Sequence, residues 1–275
     1  MTTQAQRGEA FAALHRAPGL FVLPNPWDAG SAKMLAHLGF VALATTSAGL
    51  AFALGRRDAE GNVSRDEALA NARAIVEATP LPVVADLENG YGDRPEDCAA
   101  TIRAAAEAGL VGASIEDASG REQEPIYPLA LAVERIRAAV EAARSLGFPF
   151  TLAARAENFL HGRPDLDDTL RRLAAFAEAG ADVLYAPGLT TREQIREVVR
   201  AVAPRPVNVL VGSPSLKLGL EELAELGVKR VSVGSSLARV AYGAFFHAAE
   251  ELKQGSLAPM GQAMPFERIN DLFKP

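Results

Sequence analysis

Along this chain, compact apolar runs alternate with longer stretches in which apolar positions return every three or four residues. The runs fall in LFVL (20–23), FVALATTSAG (40–49), VVADL (83–87), LVGASIED (110–117), FTLAARAEN (150–158), ADVLYAPG (181–188), RPVNVLVGS (205–213) and VKRVSVGSS (228–236). Nearly unbroken apolar runs mark parallel strands buried on both faces. The periodic stretches predict helices. The first carries Phe11 and Leu14, and the second, AGSAKMLAHLG, starts after a capping Asp28 and stops at Gly39. Others are expected over 65–78, 94–108, 129–146, 165–180, 190–202, 218–226 and 237–253. AEAG precedes the fourth and sixth strands and AELG the eighth, each a helix end with a glycine cap. Eight strand–helix alternations predict an α/β fold, a (β/α)₈ TIM barrel. It is expected to occupy residues 1–255 as one domain, with 256–275 as a tail packing on the barrel or on a partner subunit. A doubly wound open sheet is the alternative, disfavoured because no Gly-x-Gly-x-x-Gly follows the first strand.

Composition narrows the partners more than the fold. The 275 residues are 49% hydrophobic, with a formal net charge of −6. No basic stripe is present, which argues against nucleic acid and anionic membrane surfaces. No apolar run approaches the roughly 18 residues of a membrane helix. Cys98 is the single cysteine, so no intrachain disulfide can form and a cytoplasmic setting is expected. Its place in the 94–108 helix suits a small buried thiol.

The carboxyl ends of barrel strands carry the chemistry. Asp86 and Glu88 close the third strand, Glu116 the fourth and Arg155 the fifth, and Asn208 lies in the seventh. Two neighbouring carboxylates repel unless a proton or cation lies between them. With Asp58 in the loop after the second strand, these acids suit a hard divalent cation, Mg²⁺ with Mn²⁺ as a substitute. Arg155 is the lone strand-end cation, fit to clamp a substrate carboxylate or else to form a structural salt bridge with Glu116 or Glu157. The Ser47-Ala48-Gly49 segment reads as a turn whose N–H groups face an anion. None of the five lysines sits at a strand end, so Schiff-base chemistry lacks its amine. Only His161 of the four histidines falls near the barrel mouth, so no histidine zinc cluster is expected.

These residues resemble the isocitrate lyase/phosphoenolpyruvate mutase superfamily. ATTSAGLAFALGRRD (44–58), VVADLENGYGD (83–93), GASIED (112–117), AARAENF (153–159) and ELGVKRVSVG (225–234) match its motifs in order over nearly the whole chain. The resemblance implies that Asp86 binds Mg²⁺ directly while Asp58, Glu88 and Glu116 hold its waters. It also implies that N–H groups around Thr46, Ser47 and Ala48 take the substrate carboxylate, and that Arg155 faces the oxyanion. Finally, it implies a last helix exchanged between subunits of a homodimer or homotetramer.

The implied activity is a lyase or decarboxylase acting on an oxaloacetate-like 2-oxo or 2-hydroxy dicarboxylic acid through a metal-stabilised pyruvate enolate. Arg155, Glu116 and Tyr91 are its candidate catalytic groups, and Asp86 and Asn208 join the substrate contacts. Two departures stand out. Where the family's lyases carry Lys-Lys-Cys-Gly-His, this chain reads ASGREQEPIYP (118–128), and the second acid of the signature is Glu88 rather than Asp. Phosphoenolpyruvate mutase or phosphonopyruvate hydrolase chemistry, or 2-oxo-acid binding without turnover, are the other readings.

Overall fold

The computed structural model describes residues 2–58 and 60–274. Helix α1 (Gln4–Arg16) leads into β1 (Phe21–Leu23), α2 (Ala29–His37), β2 (Leu43–Ala44), α3 (Ser47–Ala53), α4 (Arg65–Glu77) and β3 (Val83–Asp86). Then come α5 (Pro95–Glu107), β4 (Gly112–Glu116), α6 (Leu129–Arg144), β5 (Thr151–Arg155), α7 (Leu166–Glu178), β6 (Val183–Tyr185) and α8 (Arg192–Val202). The chain closes with β7 (Val207–Leu210), α9 (Leu220–Glu225), β8 (Arg230–Ser232), α10 (Ser236–Lys253) and α11 (Phe266–Leu272).

All eight strands run parallel in the order β1-β8-β7-β6-β5-β4-β3-β2. The backbone N–H of Ala44 donates to Pro24 O at 3.0 Å across the remaining seam between β2 and β1. This is the (β/α)₈ barrel that the alternation predicts. Its strands are short, so their carboxyl ends crowd together at one mouth.

Two apolar layers hold the barrel. The larger lies between strands and helices, for example Ile75, Ile102, Ile136, Phe176, Ile195 and Val231. A smaller one fills the amino-terminal end, where Phe11 of α1 is wholly buried with Leu23, Ala42, Ala44, Val84 and Val111. Because barrel strands tilt, a row of register partners spirals along the axis. One such row runs Glu116↔Arg155↔Tyr185↔Asn208↔Arg230. It starts at the last residues of β4, β5 and β6 and ends at the first residue of β8, so a polar band descends from the mouth into the interior.

One local expectation changes. The 47–49 segment is not an open turn but the start of α3, with Thr46 as N-cap and its Oγ1 accepting from Gly49 N at 3.2 Å. Glycine is needed there, since a Cβ would come within 2.5 Å of Thr46 Cγ2.

At the far end, α11 returns to α2, where Lys33 Nζ donates to Phe273 O at 3.2 Å. Helix α10 stands apart from the barrel, with Ala238 its single buried residue among those described. No described helix is long and apolar enough to cross a membrane.

Candidate active site

The signature loop after β3 is held in an uncommon backbone conformation. Glu88 (φ +47°) and Tyr91 (φ +60°) are the non-glycine residues with positive φ among those described. Such conformations persist where surrounding contacts over-determine them. Gly90 (φ +83°) leaves no room for a side chain, because a Cβ would sit 2.9 Å from Cys98 Sγ. Thr101 Oγ1 donates to Gly90 O at 2.8 Å from α5. Arg135 of α6 donates to Gly92 O at 2.7 Å and to Asn89 O, while its guanidinium stacks on the Tyr127 ring at 4.1 Å. The Cys98 thiol therefore serves packing, and burial pushes its pKa up to about 11.

Within this frame Arg155 is the hub. Its Nη1 meets Asp86 Oδ1 at 2.9 Å, its Nη2 meets Glu116 Oε2 at 3.1 Å, and its Nε meets Glu157 Oε1 at 2.7 Å. A guanidinium has five N–H donors, so one on each Nη stays free for a ligand. Salt bridge and substrate clamp, the two sequence readings of Arg155, are thus compatible. The other oxygen of Asp86 accepts from Ser47 Oγ at 2.8 Å and from Ser47 N at 3.4 Å. Burial, with Asp86 and Asp58 nearby, pushes Glu88 up to about 7. Burial also pushes Glu116 well above the carboxylate range, against the pull of Arg155.

A cavity of about 640 Å³ opens over these groups, lined by Glu88, Tyr91, Glu116, Ala118, Arg65 and His161 among others. Behind it, a narrower cavity of about 230 Å³ enters the barrel past Thr46, Ser47, Ala48, Asp58, Asp86 and Arg155. Tyr91 OH is buried with no hydrogen-bond partner, and burial beside Glu88 raises its pKa, so it keeps its proton. Asn208 lines the inner cavity with its amide already engaged, donating to Ser232 Oγ at 3.0 Å and accepting from Arg230 Nε at 2.9 Å. Thr46 and Ala48 line the same cavity, and His161 reaches the outer wall.

Sequence reasoning missed the support around the hub. Asp117 is 2% exposed and accepts from Glu157 N at 2.8 Å and from Arg172 Nη1 at 3.0 Å. Burial pushes Asp117 up to about 6. Arg172 also donates to Tyr127 O at 2.9 Å, tying α7 to the base of the segment after β4. That segment is a narrow hairpin, with an Ala118–Ile126 bridge and a bidentate Arg121–Asp93 pair at 2.8 and 2.9 Å. It gives the cavity Ala118, Ser119 and Gly120, while Glu122 and Glu124 stay exposed.

The donor set fits a divalent cation. Asp86, Glu88, Glu116 and Glu157 surround one arginine, with Asp58 adding to the surplus of negative charge. Among the described residues no three His, Cys, Asp or Glu side chains form an all-protein cage. Mg²⁺ takes one or two carboxylates and keeps most of its waters, which suits this arrangement.

Fold and site together define a (β/α)₈ barrel with an acid-ringed arginine at its mouth. Residues 11–253 match the phosphoenolpyruvate phosphomutase family profile, and the chain belongs to this family. A Burkholderia cenocepacia J2315 structure described as a candidate lyase/mutase is 57% identical, covering 99% of this chain and 97% of that one, with a TM-score of 0.96. 2,3-Dimethylmalate lyase of Eubacterium barkeri is 28% identical across 92% of this chain and 89% of its own. A structure of oxaloacetate acetylhydrolase with oxalate is 26% identical, covers 99% and 95%, and has a TM-score of 0.88. The protein is therefore an enzyme of a superfamily of lyases and mutases.

Proposed function

We propose that the protein is a Mg²⁺-dependent carbon–carbon lyase or decarboxylase acting on a small 2-oxo or 2-hydroxy dicarboxylate of the oxaloacetate type. The observation that carries this reading is the Arg155 guanidinium, held by Asp86, Glu116 and Glu157 while it lines the inner cavity. Asp86 would hold the cation directly, with Asp58, Glu88 and Glu116 accepting from its waters. When bound, the ion would supply positive charge where an enolate oxygen develops. Arg155 would donate its remaining N–H groups to the same developing charge. Tyr91, buried, protonated and unpartnered, would deliver a proton to the enolate carbon. Asn208 would act at one remove, since its amide is committed to Ser232 and Arg230.

The names of similar proteins support this class, because a dimethylmalate lyase and an oxaloacetate hydrolase both act on small dicarboxylates. The test is release of pyruvate from oxaloacetate with Mg²⁺, measured against a metal-only control. Wild type should exceed the control, and Asp86→Ala should fall to it. Equal rates for the two proteins would reject the reading.

We further propose that the enzyme works as a homo-oligomer. Val240 (69% exposed), Phe245 (71%) and Phe246 (61%) lie exposed on α10, and Phe266 (79%) is exposed in the tail. A helix that leaves this many large apolar side chains in water is suited to an interaction site, and a second copy of the chain is the partner proposed for it.

A further inference from the structure

The polar band that descends from the mouth ends on a buried cation that the reaction does not use. Arg230 opens β8 and is 5% exposed. Its one hydrogen bond among the described residues is Nε to Asn208 Oδ1, at 2.9 Å. No described carboxylate forms an ion pair with it, and Tyr185 is the one acidic group close enough to act on it. Burial lowers its pKa to about 10, with Tyr185 pulling the other way. The strand ladder explains the isolation. The one carboxylate of the row, Glu116, sits at its upper end, four register steps away and beyond Arg155.

Space accompanies the charge. Barrel interiors are normally packed with bulky branched side chains. Here Ala44, Ser114, Thr151 and Ser232 line a cavity that runs from Asp86 and Arg155 down to Arg230. Apart from the two acids at the mouth, Asp58 and Asp86, its polar lining consists of hydroxyls, amides and guanidinium groups. Near Arg230 the wall therefore offers N–H and O–H donors and no negative charge. A buried guanidinium needs a counter-charge or acceptors for its N–H groups, and the protein supplies a single amide oxygen.

We propose that the barrel interior below the active site binds a small monovalent anion, of halide or formate size, on the guanidinium of Arg230. Seryl and threonyl hydroxyls complete the cradle. This site lies at the inner end of the cavity whose outer end is the acid-ringed mouth, and the inference holds whichever reaction the mouth performs.

The test uses the wild-type enzyme at constant ionic strength while bulky gluconate is replaced by chloride, with a parallel series in formate. The unfolding midpoint should rise by about 2–5 °C as one of the small anions reaches concentrations well above its dissociation constant. Arg230→Met, which keeps the apolar stem and removes the charge, should lose this response. Crystals soaked in bromide should show an anomalous peak within hydrogen-bond distance of Arg230 Nη1 or Nη2. If the methionine variant does not fold, the bromide position in wild-type crystals decides alone. A midpoint that ignores both anions, or bromide found beside Arg155 and absent at Arg230, would overturn the proposal.

Discussion

Tyr91 and Arg155 do opposite jobs with the same resource, burial. For Tyr91 burial raises the pKa and keeps the proton in place. For Arg155 it strengthens three ion pairs that hold the guanidinium in place. Tyr91→Phe should therefore lower kcat by about 10²–10³ with little change in KM, because a proton donor acts in the transition state rather than on binding. Steady-state kinetics on oxaloacetate checks this, and an unchanged kcat would remove Tyr91 from the proton path. Individual strand-end residues such as Asp86, Glu116 and Arg155 were readable in the sequence because they interrupt apolar runs at their carboxyl ends. Their mutual contacts were not, since Asp86 and Arg155 are 69 positions apart and meet through barrel closure. Glu157 was readable as an Arg155 partner because it lies two residues away, whereas Asp117 gave little sign of its role. A buried acid paired with an arginine on a distant helix leaves no local pattern.

Elements rather than residues decide access to the site. The 118–126 hairpin replaces the lyase-type loop, and it is latched to the signature loop through Asp93. That carboxylate receives both Arg121 Nη1 and Tyr127 OH, the latter at 2.7 Å. The latch could not be seen in the sequence, where SGREQEP shows polar composition and nothing of its partner. Asp93→Ala should free the hairpin, speeding amide hydrogen exchange across 118–127 while α6 and α7 stay protected. Uniform protection in the variant would show that the bridge at Ala118–Ile126 suffices.

Helix α1 carries a second device at the opposite end. Its His15 is held neutral, its pKa lowered to about 3, by burial first and then by Arg230, with Lys229 and Arg16 acting the same way. A folded-state value below the unfolded 6.5 means that the unfolded chain takes up the proton first as pH falls. Stability is therefore lost between about pH 6.5 and 3, by at most about 1.4 kcal/mol per pH unit from this group. Urea unfolding of wild type and His15→Gln across pH 7 to 4 should show a shallower decline in the variant. Parallel declines would assign acid sensitivity to other groups.

For the whole molecule, the barrel was legible because eight apolar runs and their intervening periodic stretches leave few alternatives. Short α3 was missed, since seven residues beginning Ser-Ala-Gly carry too little periodicity to separate a helix from a turn. The same sequence pattern announced α10 as a helix but not what lies against it. An 18-residue helix that buries Ala238 and leaves Val240, Phe245 and Phe246 in water gains little from its own chain. Fully burying one such phenylalanine is worth about 1.5–3 kcal/mol, so covering several from a second copy would outweigh much of the cost of association. Phe245→Glu places a charge on an exposed α10 position and leaves the buried barrel core unchanged. Wild type should sediment as a dimer or tetramer at micromolar concentration, and the variant should shift toward monomer with its barrel circular dichroism intact. Because the acids at the mouth come from β3, β4 and β5 of one chain, the Mg²⁺ binding proposed for it should be the same in wild type and variant. A wild-type monomer would mean that α10 serves a different partner, and a variant that stays associated would move the interface away from Phe245.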